Sequence, residues 1–341
     1  MSVSVCIPVH NEGDLLIEVL ANLITTAETE DFEIIIFNDG STNDVGRFKP
    51  LKIHTDFPNI KIINSPIQYG VGYALDRCVE HVTGTIIVIM GSDVFPDFGW
   101  LQSVVETVKT HPDTICCSAC VGISPKNKDI HREGRTVRYG GDMLVQMDFN
   151  DLPKKTQENM ILHGRDHYTD LFRAKWRWGK ESDEPYELPS LLGAFYWCRK
   201  DFYQKIHGFD TETHQRYEGH MQWGHLETLL SLKAYLYGGS CKMFPNIETG
   251  HIFGKFDKRH RTRASKPSFS AWNALWIAYT MCDEKLRDYL IGWLDSELAL
   301  NRAKTYVRQN KENLLKIRER NKNEFVKDVT WYMERFNIKL K

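Results

Sequence analysis

Apolar residues along this chain come in short runs, separated by segments of helical spacing. Val3–Val9 is one such run, and Leu15, Leu16, Val19, Leu20 and Leu23 then recur along one helix face. Phe32–Phe37 predicts a second strand, which runs into the turn cluster Asn38-Asp39-Gly40-Ser41. Ile60–Ile63 predicts a third strand, Gly70–Val82 a helix and Thr85–Met90 a fourth strand. Asp97–Thr110 predicts another helix and Thr114–Val121 a fifth strand. Strands that are apolar throughout, with helices between them, predict an α/β fold with a Rossmann-like, mostly parallel central sheet covered on both faces. In such sheets ligands bind beyond the C-terminal strand ends. Here those ends are Pro8–Glu12, Asn38–Ser41 and Gly91–Pro96, each polar where its strand is apolar.

The second half is less regular. Residues 123–188 are polar and aromatic with weak periodicity, and they read as a long excursion over the sheet edge. Periodicity returns at Leu191–Cys198, Trp223–Tyr237 and Cys241–Phe244. From Ser268 the pattern is helical to the end, with Asn301–Arg320 a solvated, charged helix.

A length of 341 residues predicts one large α/β domain with an appended element, or two closely packed lobes. Hydrophobic content of 42% and charged content of 26% exclude a disordered chain. A net charge of −1 gives no strong overall pull toward nucleic acid or membrane. Positive charge is nevertheless dense at Lys255–Lys266 and Arg302–Lys341. No basic segment precedes a long apolar one at the start, and no window reaches the roughly 18 apolar residues of a spanning helix. The expectation is a cytoplasmic protein without membrane insertion. Its eight cysteines read as reduced, mostly buried thiols. Cys117 and Cys120 form a CxxC with no second pair, which reads as buried strand residues rather than a zinc site.

Three residues carry candidate chemistry. Asp39 closes the second strand, where a carboxylate can accept hydrogen bonds from a base imide or ribose hydroxyls, or simply cap the strand. Asp93 follows the fourth strand in Met90-Gly91-Ser92-Asp93. A divalent cation there could neutralise charge developing on a diphosphate leaving group, with phosphates and water filling most of its coordination sphere. His251, in Glu248-Thr249-Gly250-His251, is by itself more often a packing residue than a ligand.

In order along the chain, these segments resemble family 2-type glycosyltransferases of the GT-A fold, and among them the catalytic domain of polypeptide N-acetylgalactosaminyltransferases. Val5–Glu12 resembles that family's strand-to-helix start, and Phe32–Thr42 its second strand. Thr85–Leu101 resembles the metal-motif strand with its following helix, and Pro189–Phe195 the Gly-rich strand under the sugar pocket. Trp223-Gly224 with Gly238-Gly239 resembles the acceptor-side helix, and Thr249–Phe253 the segment supplying a metal-binding histidine. The match spans about residues 3–290. The resemblance implies a domain over 1–265, with a nucleotide-binding half (1–122) and an acceptor and metal half (123–265), then a helical extension over 266–341.

It further implies a UDP-sugar donor held by Pro8, Val9, Asn11, Glu12, Asp39, Gly70, Ser92, Asp93, Gly193 and Trp223. Mn²⁺ or Mg²⁺ would be bound by Asp93 and His251. Glu227 falls on the position of the base in inverting members, counting back from Lys233. A carboxylate within reach of a hydroxyl is a competent base. His220 and His225 are alternatives. Trp197, like Trp223, could stack on a sugar or base, though large aromatics are core residues by default. Lys255–Lys266 corresponds to a mobile loop that closes over the diphosphate.

Departures from the family pattern are specific. Gly91 stands where the first acid of the metal motif is expected, Leu75 where an arginine is common, and Leu226 where the acid of retaining members sits. Three readings follow. The first is transfer to an acceptor hydroxyl on a protein, peptide or glycan. The second is modification of hydroxymethylated bases in DNA, and the third is a catalytically inactive nucleotide-sugar-binding relative. The sequence leaves oligomeric state open.

Overall fold

In the computed structural model, residues 2–29, 31–43, 45–53, 57–162, 168–211, 224–253, 267–294 and 297–341 are described, with only the backbone described at 267–270, 297–300 and 302. The first half follows the apolar runs closely: β1 (Val3–Val9), α1 (Asp14–Thr26), β2 (Phe32–Asp39), β3 (Ile60–Ser65), α2 (Val71–Glu80), β4 (Ile86–Met90), β5 (Val94–Pro96), α3 (Trp100–Thr110) and β6 (Thr114–Ile123). Next come β7 (Val137–Arg138), β8 (Gly141–Asp148), α4 (Lys154–Leu162), β9 (Thr169–Trp176) and β10 (Tyr186–Glu187). After these stand β11 (Phe195–Arg199), α5 (Lys200–Lys205), α6 (Leu226–Leu236) and β12 (Ser240–Ile252). Helices α7 (Pro267–Met281), α8 (Glu284–Trp293), α9 (Glu297–Gln309), α10 (Lys311–Glu324) and α11 (Val329–Arg335) complete the chain.

The central sheet runs β10-β12-β6-β11-β4-β1-β2-β3, with β5 on β12 and β7 on β6. β1 to β4 are parallel, β11 is antiparallel to both β4 and β6, and β12 is parallel to β6. The long parallel strands therefore all end on the same side, at Val9, Asp39, Met90, Ile123 and Ile252. Alternate residues feed two cores. Val5, Ile7, Ile34, Ile36 and Val88 pack with α1 and α3. Cys6, Ile35, Phe37, Ile87 and Ile89 pack with α2, α5 and α6, and α7, α10 and α11 join this second core through Trp272, Trp276, Ile317 and Tyr332.

The structure corrects four expectations. Asn301–Arg320 is not one solvated helix but breaks at Asn310 between α9 and α10, with Ala303, Val307, Leu314 and Ile317 buried. The excursion over residues 123–188 contains a separate antiparallel pair, β8 with β9, as well as α4 and two short strands of the main sheet. The strand at Cys241–Phe244 continues to Ile252. Its pairing with β6 slips between Phe244 and Glu248, where Pro245 has no N–H to offer the ladder. The loop Gly91–Pro96 is partly β5, which pairs with the end of β12.

One buried ionic group ties α10 to this frame. Lys233 Nζ lies 2.8 Å from Asp210 Oδ2, and Arg320 Nη2 lies 2.5 Å from Asp210 Oδ1. Lys233 also donates to the carbonyls of His207 and Gly208 at 3.1 and 2.8 Å. Both carboxylate oxygens are thus matched to a cation, the condition under which buried charge is tolerated.

Candidate active site

The ends of β1 and β2 are laced together. His10 Nδ1 lies 2.6 Å from the Asp39 carbonyl, and Asn11, at φ 60°, accepts from the Thr42 N–H at 2.8 Å. The Asn11 N–H donates to Ser41 Oγ at 3.0 Å. Asp39 is buried, and its two carboxylate oxygens accept from the N–H groups of Tyr69 (2.7 Å) and Gly70 (2.8 Å). Gly70 is the N-cap of α2, so the carboxylate also meets the positive end of that helix. A Cβ on Gly40 would fall 2.4 Å from the Ile67 carbonyl carbon, and its φ is 65°, so this turn requires glycine. Tyr69 stacks on Tyr73 with ring centroids 4.3 Å apart, placing flat aromatic surface beside Asp39. Sequence periodicity gave no sign of this pair.

Pairing of β5 with β12 sets His251 opposite Val94, and the Ile252 N–H donates to the Asp93 carbonyl at 3.1 Å. His251 Nε2 consequently lies 3.4 Å from Asp93 Oδ2, with both side chains 17% exposed. Burial pulls the imidazole pKa down, but the Asp93 charge and hydrogen bond, helped by the Cys120 thiol, outweigh it and raise the pKa to about 10. His251 Nδ1 is buried without a hydrogen-bond partner among the described residues. Gly91 has a local physical consequence: a Cβ there would lie 2.7 Å from Asp93 Oδ1. An acid at 91 and the present Asp93 rotamer exclude one another.

One carboxylate and one imidazole suit a divalent cation of the Mn²⁺ or Mg²⁺ kind when phosphate and water complete the shell. Among the described residues no third His, Cys, Asp or Glu joins them. Asp93 and His251 would hold such a cation with the imidazole neutral, since ligation requires a free ring nitrogen.

Glu227 lies in the first turn of α6 behind His225, the N-cap at φ 62°. Burial lifts its carboxyl above the ordinary glutamate range, while the charges of Arg173, His225 and His251 pull it back. Tyr196 and Cys117 both feel the Glu227 charge. Gly193 faces the same two groups, with its Cβ position 3.7 Å from Cys117 Sγ and 3.8 Å from Tyr196 Oη. Glu227, Gly193 and His251 therefore converge on one region.

Beneath them lies a cluster that sequence reasoning missed. His225 Nε2 sits 2.8 Å from the Leu171 carbonyl and 3.4 Å from Asp170 Oδ1. Arg173 Nε is 3.5 Å from Asp170 Oδ2, and Tyr168 Oη donates to that oxygen at 3.0 Å. Burial raises the Asp170 carboxyl, but His225 and Arg173 more than reverse this and hold it below the usual aspartate range. Between them, fully buried Phe172 takes φ 52°, a strained setting for a bulky side chain.

Of the other expected site residues, Pro8 and Val9 close β1, Glu12 is buried just beyond, and Ser92 is buried between β4 and β5. Trp223, His220 and Lys255–Lys266 lie outside the described residues. Trp197 is fully buried and donates from Nε1 to Thr107 Oγ1 at 2.7 Å, so it is a packing residue and no stacking platform.

The parallel strand ends, the antiparallel β11 inserted between β4 and β6, and the carboxylate after β4 define a GT-A glycosyltransferase fold. The chain belongs to glycosyl transferase family 2, whose model matches residues 4–175. Among curated relatives, a "Probable N-acetylgalactosaminyltransferase 8" of Caenorhabditis elegans is 25% identical over 83% of this chain and 62% of its own length. A "Polypeptide N-acetylgalactosaminyltransferase 5" of the same organism is 23% identical over 74% of this chain and 37% of its own. The chain thus spans less than two thirds of the relatives it matches. Among solved structures, GalNAc-T7 with UDP, GalNAc and Mn²⁺ superposes with a TM-score of 0.61 at 16% identity, covering 98% of this chain and 56% of that one.

Proposed function

We propose that this chain transfers a sugar from a UDP-sugar to an acceptor hydroxyl with inversion, using Glu227 as base. The observation that carries the proposal is the approach of half-buried Glu227, its carboxyl raised by desolvation, to His251 and Gly193 on the side of the sheet where the parallel strands end. Pro8, Val9, Asn11, Glu12, Asp39 and Gly70 would hold the nucleoside, and Ser92, Asp93 and Gly193 the diphosphate and sugar, with Trp223 against the donor. Asp93 and His251 would hold Mn²⁺ or Mg²⁺. When bound, the cation supplies Lewis-acid stabilisation of the leaving diphosphate. The protein's own contribution is to orient the acceptor oxygen, exclude water and take its proton on Glu227.

Relatives with N-acetylgalactosaminyltransferase names and a neighbour solved with UDP and Mn²⁺ support the donor class and metal. They favour a protein or peptide hydroxyl as acceptor over a glycan or a modified DNA base. Residues 1–265 would form the transfer domain, with 266–341 a helical extension. No helix among the described residues is long and apolar enough to cross a membrane. The eight buried free thiols support a reducing, cytoplasmic setting.

A screen of UDP-sugars for UDP release, with Mn²⁺ and with excess chelator, tests the proposal. Release that needs the metal and is lost in Glu227→Gln is expected. Tight nucleotide binding with no release from any donor would instead identify an inactive binding relative.

A further inference from the structure

Three arginines follow one another at three-residue spacing on the segment after β6. Arg132 donates to the Gly122 carbonyl at 2.6 Å. Arg135 is ion-paired with Glu248 and donates to the Ile130 carbonyl at 2.9 Å. Arg138 differs: its Nε and Nη1 are buried without a hydrogen-bond partner among the described residues. Its guanidinium sits instead among three aromatic rings, with centroids at 4.0 Å (Phe253), 4.7 Å (Trp178) and 5.3 Å (Trp176). The ring faces attract the cation and fix its position, but they are poor acceptors for its N–H groups. Arginine stays protonated in proteins, so a fixed positive charge with uncommitted donors results.

Its location gives this meaning. Arg138 is directly opposite Cys120 in the β6–β7 pair, so the two side chains leave the same face. His251 is opposite Gly122, two residues further along β6. The Phe253 ring touches both groups, lying 4.3 Å from the His251 ring. Gly122 keeps the intervening space clear, since a Cβ there would stand 3.5 Å from Arg138 Nη1 and 3.7 Å from the Phe253 ring. Trp178 is 61% exposed and forms the outer rim, so the cage opens to solvent.

We propose that Arg138 is an oxyanion-binding residue, held by the Trp176, Trp178 and Phe253 cage to receive a phosphate-type oxyanion beside His251, with the donor's diphosphate as the source. The planar fork of a guanidinium matches two such oxygens at once. The diphosphate assignment rests on the nucleotide-sugar reading of the site, whereas the oxyanion site itself does not.

Calorimetric titration of the full chain with inorganic pyrophosphate, UDP and uridine, Mn²⁺ present throughout, tests it in wild type, Arg138→Gln and Arg138→Lys. In Arg138→Gln the affinity for pyrophosphate and UDP falls at least about tenfold while that for uridine is unchanged, and Arg138→Lys falls between because an ammonium is a point charge. Loss of pyrophosphate affinity with UDP affinity intact would overturn the donor as source and point to a phosphate on the acceptor. Arg138-dependent pyrophosphate binding in a protein that binds no nucleotide would sink the nucleotide-sugar reading and leave the oxyanion site standing. Unchanged pyrophosphate and UDP affinities in folded Arg138→Gln overturn the proposal, making the cage purely structural. If that variant does not fold, unchanged affinities in Arg138→Lys, with no change in wild-type tryptophan fluorescence on adding pyrophosphate, overturn it equally.

Discussion

At the proposed nucleoside end of the site, Asp39, Asn11 and Asn38 are all engaged with backbone groups, side chains or both. At the reactive end, His251 Nδ1, His225 Nδ1 and Arg138 Nε and Nη1 are buried with no hydrogen-bond partner among the described residues. Elsewhere the same chain matches buried charge closely, as Asp210 does between Lys233 and Arg320. Buried polar groups left unpaired are costly and uncommon in folded proteins. Such atoms also occur elsewhere, Arg77 Nε and Arg320 Nε among them, but those of Arg138, His225 and His251 lie close to Asp93 and Glu227, where the proposed reaction would take place. On the proposed function, the nucleoside end is satisfied largely by the protein's own groups, and the reactive end keeps polar groups that a ligand would complete.

The largest effect that can break this contrast comes from Glu227→Gln. The transfer rate is expected to fall by roughly 10²–10⁴, with UDP affinity unchanged. Because burial raises this carboxyl, the wild-type rate should climb with pH through a midpoint above the ordinary glutamate range, and the variant should lose that limb. The stability sign is opposite. A carboxyl raised in the folded state contributes stability below its unfolded pKa and loses it as pH rises through the folded one. At pH 7 Glu227→Gln should therefore melt no lower than wild type. A variant that melts lower and keeps its rate would make Glu227 a structural residue.

Asp210→Ala serves as the opposite case. It strands Lys233 and Arg320 and should remove about 3–5 kcal/mol of stability, read as a lower urea midpoint. Asp170 offers a pH test of its own. Its carboxyl is lowered, so its contribution is present above the unfolded aspartate pKa and lost as pH falls through the folded value. Acid unfolding of Asp170→Asn should accordingly be shallower than that of wild type.

The contrast also tracks how much could be read from the sequence. β1, β2, β4 and their polar ends were legible because parallel strands buried on both faces are continuous apolar runs. Asp39 and Asp93 followed from those ends. Asp170 and Arg173 were not legible, because Phe172 turns to a positive φ within β9 and breaks its alternation. The length of β12 was hidden by the slip around Pro245. Arg138, Trp176 and Phe253 are joined only by the fold, so no local pattern announces their cage.

A smaller effect sharpens the nucleoside side. Asp39→Asn turns one acceptor toward an N–H as a donor. It should lower stability by about 1–3 kcal/mol and weaken uridine and UDP alike. Weakened UDP with intact uridine would move Asp39 out of the nucleoside end.

The most direct test of a reactive end completed by its ligand is UDP affinity with Mn²⁺ and with excess chelator, in wild type, Asp93→Ala and His251→Ala. Mn²⁺ should tighten UDP binding in wild type by about 10–100-fold and do little in either variant, with uridine binding alike in all three. Equal UDP affinity with and without metal in wild type would contradict the account.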